Sequence, residues 1–506
     1  MSSMSRVCQS LFVCTITAFA VLGASAALMP AHAALVTAQN SGDACMPITM
    51  PTRDALFNTP QRIFAHYLPT FPASIDNRPS ASDYYNVQYL NPAGENGKFE
   101  AQGGFLRQRP SGVPVQSNPK WKQLNMQHEV SLAMARGIQG FAFDIMSVTQ
   151  ATDPEGPLQT MLAAASAIDS RFKIIVTPDM TVFKSDPASV IKIYEAAATK
   201  PAAYHTADGR LIIGAYDAGL NSAAWWKSVF SQLAAKNIRV AFVPTFLGWM
   251  PNAPSFDPIS SGFGDWGTAT PFKEAFMVNQ PAFALSEYGK FFVMPVDPQQ
   301  YRPKNYFYYE AGNSAAFRSG WNSAITGRSS WVLLVTWNDF SESSQVQPYS
   351  DATVRRDIGT GYYDLTGYYA AWLGSRVQPK ITHDVLYYFY RREPSNSAGP
   401  RQSEGVTVQG SVADDKIELL AFLTAPGVLK ITIGGQTYTH DAPAGLTSFM
   451  IPTQPGIPLF ALSRDEAEVF SFQGGVQIYG PSGIPSGVID MTYWSGSASK
   501  TGVCAL

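Results

Sequence analysis

Two carboxylates three residues apart, Asp339 and Glu342, stand just past an apolar run in the segment WVLLVTWNDFSES (331–343). The β-branched stretch 332–336 reads as a buried strand. It ends at Trp337 and Asn338 and then releases the two acids. Polar and aromatic groups at the C-terminal end of a buried strand sit where α/β barrels keep their chemistry. An acid, a base and a flat apolar face are what cleavage of a glycosidic bond requires. The competing assignment is a cap, with Asp339 at the start of a turn and Glu342 as its capping-box partner.

Such a pair needs a scaffold, and the chain reads as one. Strand patterns fall at 63–67, 140–144, 173–177, 211–216, 239–244, 262–266, 291–296 and 332–336. Helical patterns fall between most of them, at 122–135, 158–168, 187–198, 223–236, 271–288 and 315–326, with a last helix at 367–373. Eight alternating units predict an α/β fold of the (β/α)8 TIM-barrel type. The strand ends then face one cavity and bring candidate site residues to it: His66 and Tyr67, Asp144, Asp179, Asp265 and Trp266, then Trp337, Asn338, Asp339 and Glu342. Tyr216, Asp217 and Asp297 also lie at strand ends. Asp favours turns for reasons of its own, so it is the accumulation that points to a site.

The composition agrees with a neutral, polar ligand that has apolar faces. Charged residues make up 15%, aromatic residues 12% and hydrophobic residues 45%, with a formal net charge of −2. That balance gives no field to gather nucleic acid or anionic lipid. The histidines show no metal-ligand spacing, and there is no G-x-S-x-G elbow or Walker loop. GFGDWG (262–267) matches G-x-G-x-x-G by letter but lies on the sixth strand, where Trp266 would crowd a pyrophosphate. The reading therefore expects no metal and no cofactor. It expects a monomer with a polysaccharide substrate, no nucleic-acid partner and no membrane insertion.

Arg6, the apolar run 11–28 and Ala31-His32-Ala33 form a secretory signal with its cleavage site. The expected organisation is a signal peptide (1–33), a leader (34–60), the barrel (61–390), a polar linker (391–404) and a C-terminal β-sandwich (405–506). In the last segment short strands alternate with turn residues, and Gly434-Gly435 marks a hairpin. Cleavage leaves two cysteines, Cys45 and Cys504, and export predicts a disulfide between them. The location expected is outside the cell membrane, extracellular or periplasmic.

Over residues 60 to 390 the chain resembles glycoside hydrolase family 71, the α-1,3-glucanases or mutanases. RIFAHYL (62–68), GIQGFAFDI (137–145), FKIIVTPDM (172–180), GKFFVMPVDP (289–298) and WNDFSES (337–343) resemble that family's motifs in order. The resemblance implies hydrolysis of α-1,3-glucan with inversion, and its D-x-x-E motif makes Asp339 and Glu342 catalytic. Glu342 is then the acid and Asp339 the base. Asp179 and Asp144 hold sugar hydroxyls or orient water, Tyr67, Trp266 and Trp337 stack on sugars, and Asn338 donates hydrogen bonds. The chain departs from the family at Ser344–Gln347, where a His and a Tyr are lost, at Asp144 in place of Asn, and at Gln139. Two rivals stand beside this reading. One is a retaining glycosidase resembling the family 99 endo-mannosidases, and the other is a non-catalytic polysaccharide-binding protein.

Overall fold

A computed structural model describes residues 45–351, 359–399, 404–485 and 487–504. The predicted signal segment and the start of the leader lie outside the described residues, as does part of the predicted linker. Eight parallel strands close into a barrel: β1 (Arg62–Tyr67), β2 (Gly140–Ile145), β3 (Lys173–Pro178), β4 (Leu211–Ala215), β5 (Val240–Phe246), β6 (Gly262–Asp265), β7 (Phe291–Val296) and β8 (Trp331–Leu334). Closure comes from β8 pairing with β1, with Arg62 opposite Trp331 and Ala65 opposite Leu334. The fold class read from the alternating patterns is the one observed.

Strand periodicity divides the core in two. Phe64, Ala142, Ile175, Ile212, Val243, Val293, Leu333 and Val335 fill the barrel interior. Their neighbours Ile63, Phe141, Ile174, Ile213, Phe242, Met294 and Leu334 point outward into the layer beneath the helices. Trp331, Phe64 and Tyr204 stack at the N-terminal end, with centroids 5.5–5.8 Å apart. The glycines of GFGDWG serve packing here: a Cβ on Gly262 would lie 2.5 Å from the Phe291 ring. The helices begin where the local chemistry favours a start. Pro157, Pro187 and Pro271 open three of them, where the missing N–H costs nothing. Ser222 caps a fourth by accepting from the Trp225 amide. The stretch expected as one helix over 271–288 is two, Pro271–Phe276 and Gln280–Tyr288, joined by a 3-10 turn.

The C-terminal part is a two-sheet sandwich of five and four antiparallel strands. Its boundary differs from the expectation. β9 (Val385–Arg391), which the sequence reading left inside the barrel segment, is the middle strand of the five-stranded sheet and pairs with Lys416–Leu423 and Tyr493–Ser499. VLYYFYR is apolar on both faces because both faces are covered. Val385, Tyr387 and Phe389 pack into the barrel's outer core beside Tyr362 of the helix Gly361–Ser375, while Leu386, Tyr388 and Tyr390 pack into the sandwich. Gly434 and Gly435 form the predicted two-residue hairpin, both with positive φ (59° and 76°). The predicted disulfide is present: Cys45 is bonded to Cys504, 459 residues away. The described part of the leader, 45–60, is packed, with Met46, Ile48, Leu56 and Phe57 buried in the barrel's outer core.

Candidate active site

At the end of β8 the chain leaves the barrel and returns on itself. Thr336 N–H donates to Ser344 O (2.7 Å), Val346 N–H to Thr336 O (2.9 Å), and Gln347 N–H to Trp337 O (2.9 Å). The tip of this loop, 338–343, carries both acids. It is pinned to β1 at two levels. Trp337 N–H donates to His66 O (2.7 Å). The Asn338 side chain accepts from Leu68 N–H (2.7 Å) and donates to Leu68 O (2.9 Å) and Phe71 O (2.8 Å).

Asp339 is nearly buried, and three donors converge on its Oδ1: Ser341 N–H (2.9 Å), Ser341 Oγ (2.7 Å) and Glu342 N–H (3.1 Å). A cap of this kind was the competing assignment for Asp339, and the turn is there. The capping box is not, because the Glu342 side chain goes elsewhere. Its Oε2 accepts from Gln300 Nε2 and Arg302 Nη2, both at 2.7 Å. The Glu342 side chain keeps 16% of its exposure. Burial, and after it the negative charge of Asp339, push the Glu342 carboxyl up to about 7, against the opposing pull of Arg302, Gln300 and Lys304.

Around the pair stands a ring of inward-facing groups. His66 Nε2 lies 3.7 Å from Asp144 Oδ1, an ion-pair distance too long for a hydrogen bond. That oxygen is buried and has no hydrogen-bond partner. Burial raises Asp144, helped by the charges of Asp179 and Asp339 and opposed by His66. Trp266 meets the His66 ring edge-on (4.8 Å, 88°) and the Tyr216 ring likewise (4.7 Å, 73°). Burial lifts the Tyr216 hydroxyl well above its ordinary range, with Glu342 and Asp179 adding to the rise. Asp179 holds its own loop, its Oδ1 accepting from Thr181 N–H and Oγ1 (2.8 and 2.6 Å). Behind the ring, Asp297 at the end of β7 and Glu274 on the helix Pro271–Phe276 are buried together. Burial holds both carboxyls well above the usual range; Asp297 adds to the rise at Glu274, while Asp265 and Glu342 add to the rise at Asp297 against the opposing pull of the Glu274 side chain.

Four expected substrate contacts turn away from this cavity. Tyr67 is fully buried on the outer side of the barrel, stacked on Phe143 (5.1 Å, 15°) and donating to Glu129 Oε2 (3.0 Å). Trp337 is buried on the same side against Phe141 (5.3 Å). Neither offers a ring face to a sugar: Tyr67 is one residue past the inward-facing His66 on β1, and Trp337 lies past the last regular residue of β8, where the chain doubles back. Asn338 spends its amide on the loop after β1. Asp265 accepts from the backbone amides of Gly248 (3.3 Å), Trp249 (3.0 Å) and Gly267 (3.4 Å), and so ties the loops after β5 and β6 together. His66, Asp144, Asp179, Trp266, Asp339 and Glu342 remain around one mouth. Tyr216, Gln300 and Arg302 belong with them and were not among the expected site residues. The pattern Gln300-Tyr301-Arg302, with two polar groups on one face of a short strand, was the signal available. At the opposite end of the barrel a second hollow lies between Arg62, Tyr204, Phe291 and Trp331, and no carboxylate lines it.

The closed (β/α)8 barrel thus carries an acid pair on the loop after its eighth strand. The chain belongs to glycosyl hydrolase family 71, whose family model matches residues 114–505, and it is a glycoside hydrolase. It is 23% identical over 370 residues to the glucan endo-1,3-alpha-glucosidase agn1 of Schizosaccharomyces pombe, an alignment covering 69% of this chain and 86% of that one. It is 22% identical over 382 residues to the mutanase Pc12g07500 of Penicillium rubens, covering 71% and 81%. Among solved structures it is similar to the GH99 endo-alpha-mannosidase from Bacteroides thetaiotaomicron, with a TM-score of 0.46, 15% identity, and coverage of 62% of this chain and 97% of that one.

Proposed function

We propose that this glycoside hydrolase cleaves an α-glucan, α-1,3-glucan in particular, by a single inverting displacement. Glu342 protonates the leaving glycosidic oxygen, and Asp339 takes a proton from the water that attacks the opposite face of the sugar. The observation that carries the assignment is the contrast between two acids on one turn. Burial beside a negative charge raises the Glu342 carboxyl to about 7, so a large share of it keeps its proton near neutral pH. Asp339 presents to three donors the acceptor that an ionised carboxylate supplies. His66 and Asp144, with its buried unpartnered oxygen, bind sugar hydroxyls in this reading. Asp179 assists them, and Trp266 and Tyr216 supply the apolar face.

The substrate class rests on the relatives, whose names are those of α-1,3-glucanases. Export to that substrate rests on the N-terminal signal pattern. Among the described residues no helix is long and apolar enough to cross a membrane. Reducing-sugar release from α-1,3-glucan, α-1,4-glucan and mannan, with the first-formed anomer followed by ¹H NMR, tests the proposal. The expected result is selective release from α-1,3-glucan with the β-anomer formed first. Release of the α-anomer would replace inversion by retention, and no release from any of the three would favour a binding protein.

A further inference from the structure

The groups nearest Glu342 come from outside its own loop. After β7 the chain makes an excursion, and Gln300–Arg302 pairs antiparallel with Phe307–Tyr309. Phe307–Tyr309 in turn lies parallel to Thr407–Gln409 of the C-terminal segment. Gln299 exchanges two hydrogen bonds with the Tyr493 backbone (2.7 and 3.2 Å). The buried Tyr301 donates its hydroxyl to Ile489 O (2.7 Å), and its N–H to Glu342 O (2.8 Å). Alternation along this short strand then turns Gln300 and Arg302 together toward the acid. Both donate to the same oxygen, Oε2. The Arg302 guanidinium also lies over the Phe307 ring (5.5 Å), and its Nε is buried without a hydrogen-bond partner.

We propose that Gln300 and Arg302 are positioning residues for Glu342, held in place by the C-terminal β-domain: they occupy Oε2 and leave Oε1 as the oxygen that carries the catalytic proton. The proposal rests on the acid assignment made above for Glu342. It gives the β-domain a part in the chemistry, because residues 407–409 and 489–493 fix the strand that presents the two donors. Two parallel donors on one carboxylate oxygen select a single rotamer, and acids that transfer protons depend on such placement. The charge of Arg302 also sets the pH at which the proton is lost. The charged and titratable groups around Glu342 are Asp339 on its own loop, Arg302 and Lys304 on the excursion after β7, Asp297 at the end of β7, and Tyr216 after β4. Of these, Arg302 is the only one whose contact with the carboxylate is a direct ion pair.

The test is the pH profile of kcat/KM on soluble α-1,3-linked oligoglucosides for full-length wild type, Arg302→Met, Arg302→Lys and Gln300→Leu, with Glu342→Gln as control. Arg302→Met is expected to move the alkaline limb up by about one pH unit, the scale of losing a neighbouring opposite charge. Arg302→Lys returns the limb toward wild type. Gln300→Leu, which removes a neutral donor, moves it up by less and stands in should Arg302→Met not fold. A merely structural role would lower the whole profile without moving its limb. An unmoved limb in both Arg302→Met and Gln300→Leu, with Glu342→Gln inactive, overturns the positioning proposal and leaves the acid assignment standing. Near-wild-type glucan hydrolysis by Glu342→Gln overturns the acid assignment itself.

Discussion

Glu342 and Asp339 are three residues apart yet live in different electrostatic surroundings, and that difference underlies the roles proposed for them. Glu342 loses solvent and faces a negative neighbour, so its proton is held to about 7. In its proposed role as general acid it must be protonated to act. The profile of kcat/KM should therefore fall on the alkaline side with a midpoint near pH 7, and initial rates across pH 5 to 9 check this. An alkaline limb above pH 9 would assign the proton donor to another group. The motif was legible in the sequence because a strand, an aromatic and two acids are all local features. Gln300 and Arg302 were not, because they reach the site from a loop whose course is set by a distant part of the chain.

The loop 336–347 and the ends of its neighbouring strands form the next level. Asn338 makes three hydrogen bonds to the segment after β1 from a fully buried position. Asn338→Ala strands buried backbone groups at Leu68 and Phe71 and should cost about 2–4 kcal/mol, read as a lower denaturation midpoint together with reduced kcat. Unchanged stability would mean that water replaces the amide. A second prediction concerns the helix Trp121–Ala135, which carries Glu129 under the same loop. Glu129 accepts from Tyr67 (3.0 Å) and Gln347 (3.3 Å), and burial pushes it up to about 8 from an ordinary value of 4.5. Its folded pKa lies above its unfolded one, so its contribution to stability is complete below about pH 4.5 and is lost as pH rises through about 8. Glu129→Gln should flatten the decline of Tm over that window by at least about 2 °C, checked by calorimetry. An identical decline in the variant would place the titration elsewhere, with Glu274 and Asp297 the next groups to test.

Strand parity explains which of the candidate residues turn toward the cavity. Phe64, Ala142, Ile212 and Val293 face the barrel interior. Counting by twos from them brings His66, Asp144, Tyr216 and Asp297 to the interior face and sends Tyr67 outward. Grouping residues by strand end alone lost that distinction, and so put Tyr67 at the cavity on the same footing as Tyr216. Asn338 and Trp337 lie beyond the last regular strand residue, where parity no longer holds. Their burial follows from the way the loop doubles back.

At the scale of the molecule the barrel and the β-domain share a core. β9 is covered by the barrel on one face and by the sandwich on the other, so the strand reads as continuously apolar and gives no sign of a boundary. The eight barrel units were plain in the sequence because each is a local period. The sheet order of the C-terminal part was not, because β9 pairs with strands far along the chain. Cys45–Cys504 closes this assembly across nearly its whole length. Cys504→Ser should lower stability by about 2–4 kcal/mol, measured in denaturant, with activity at 25 °C retained. Loss of activity under native conditions would show that the closure also shapes the site.

The most direct measurement of the central claim compares Glu342→Gln with wild type on two substrates, α-1,3-glucan and an α-1,3-linked oligoglucoside with an activated aryl leaving group. If Glu342 is the acid, glucan hydrolysis falls by roughly 10²–10⁴-fold. The aryl substrate, whose leaving group needs no proton, keeps most of its rate. Glucan hydrolysis near the wild-type rate in a folded Glu342→Gln enzyme would contradict the account.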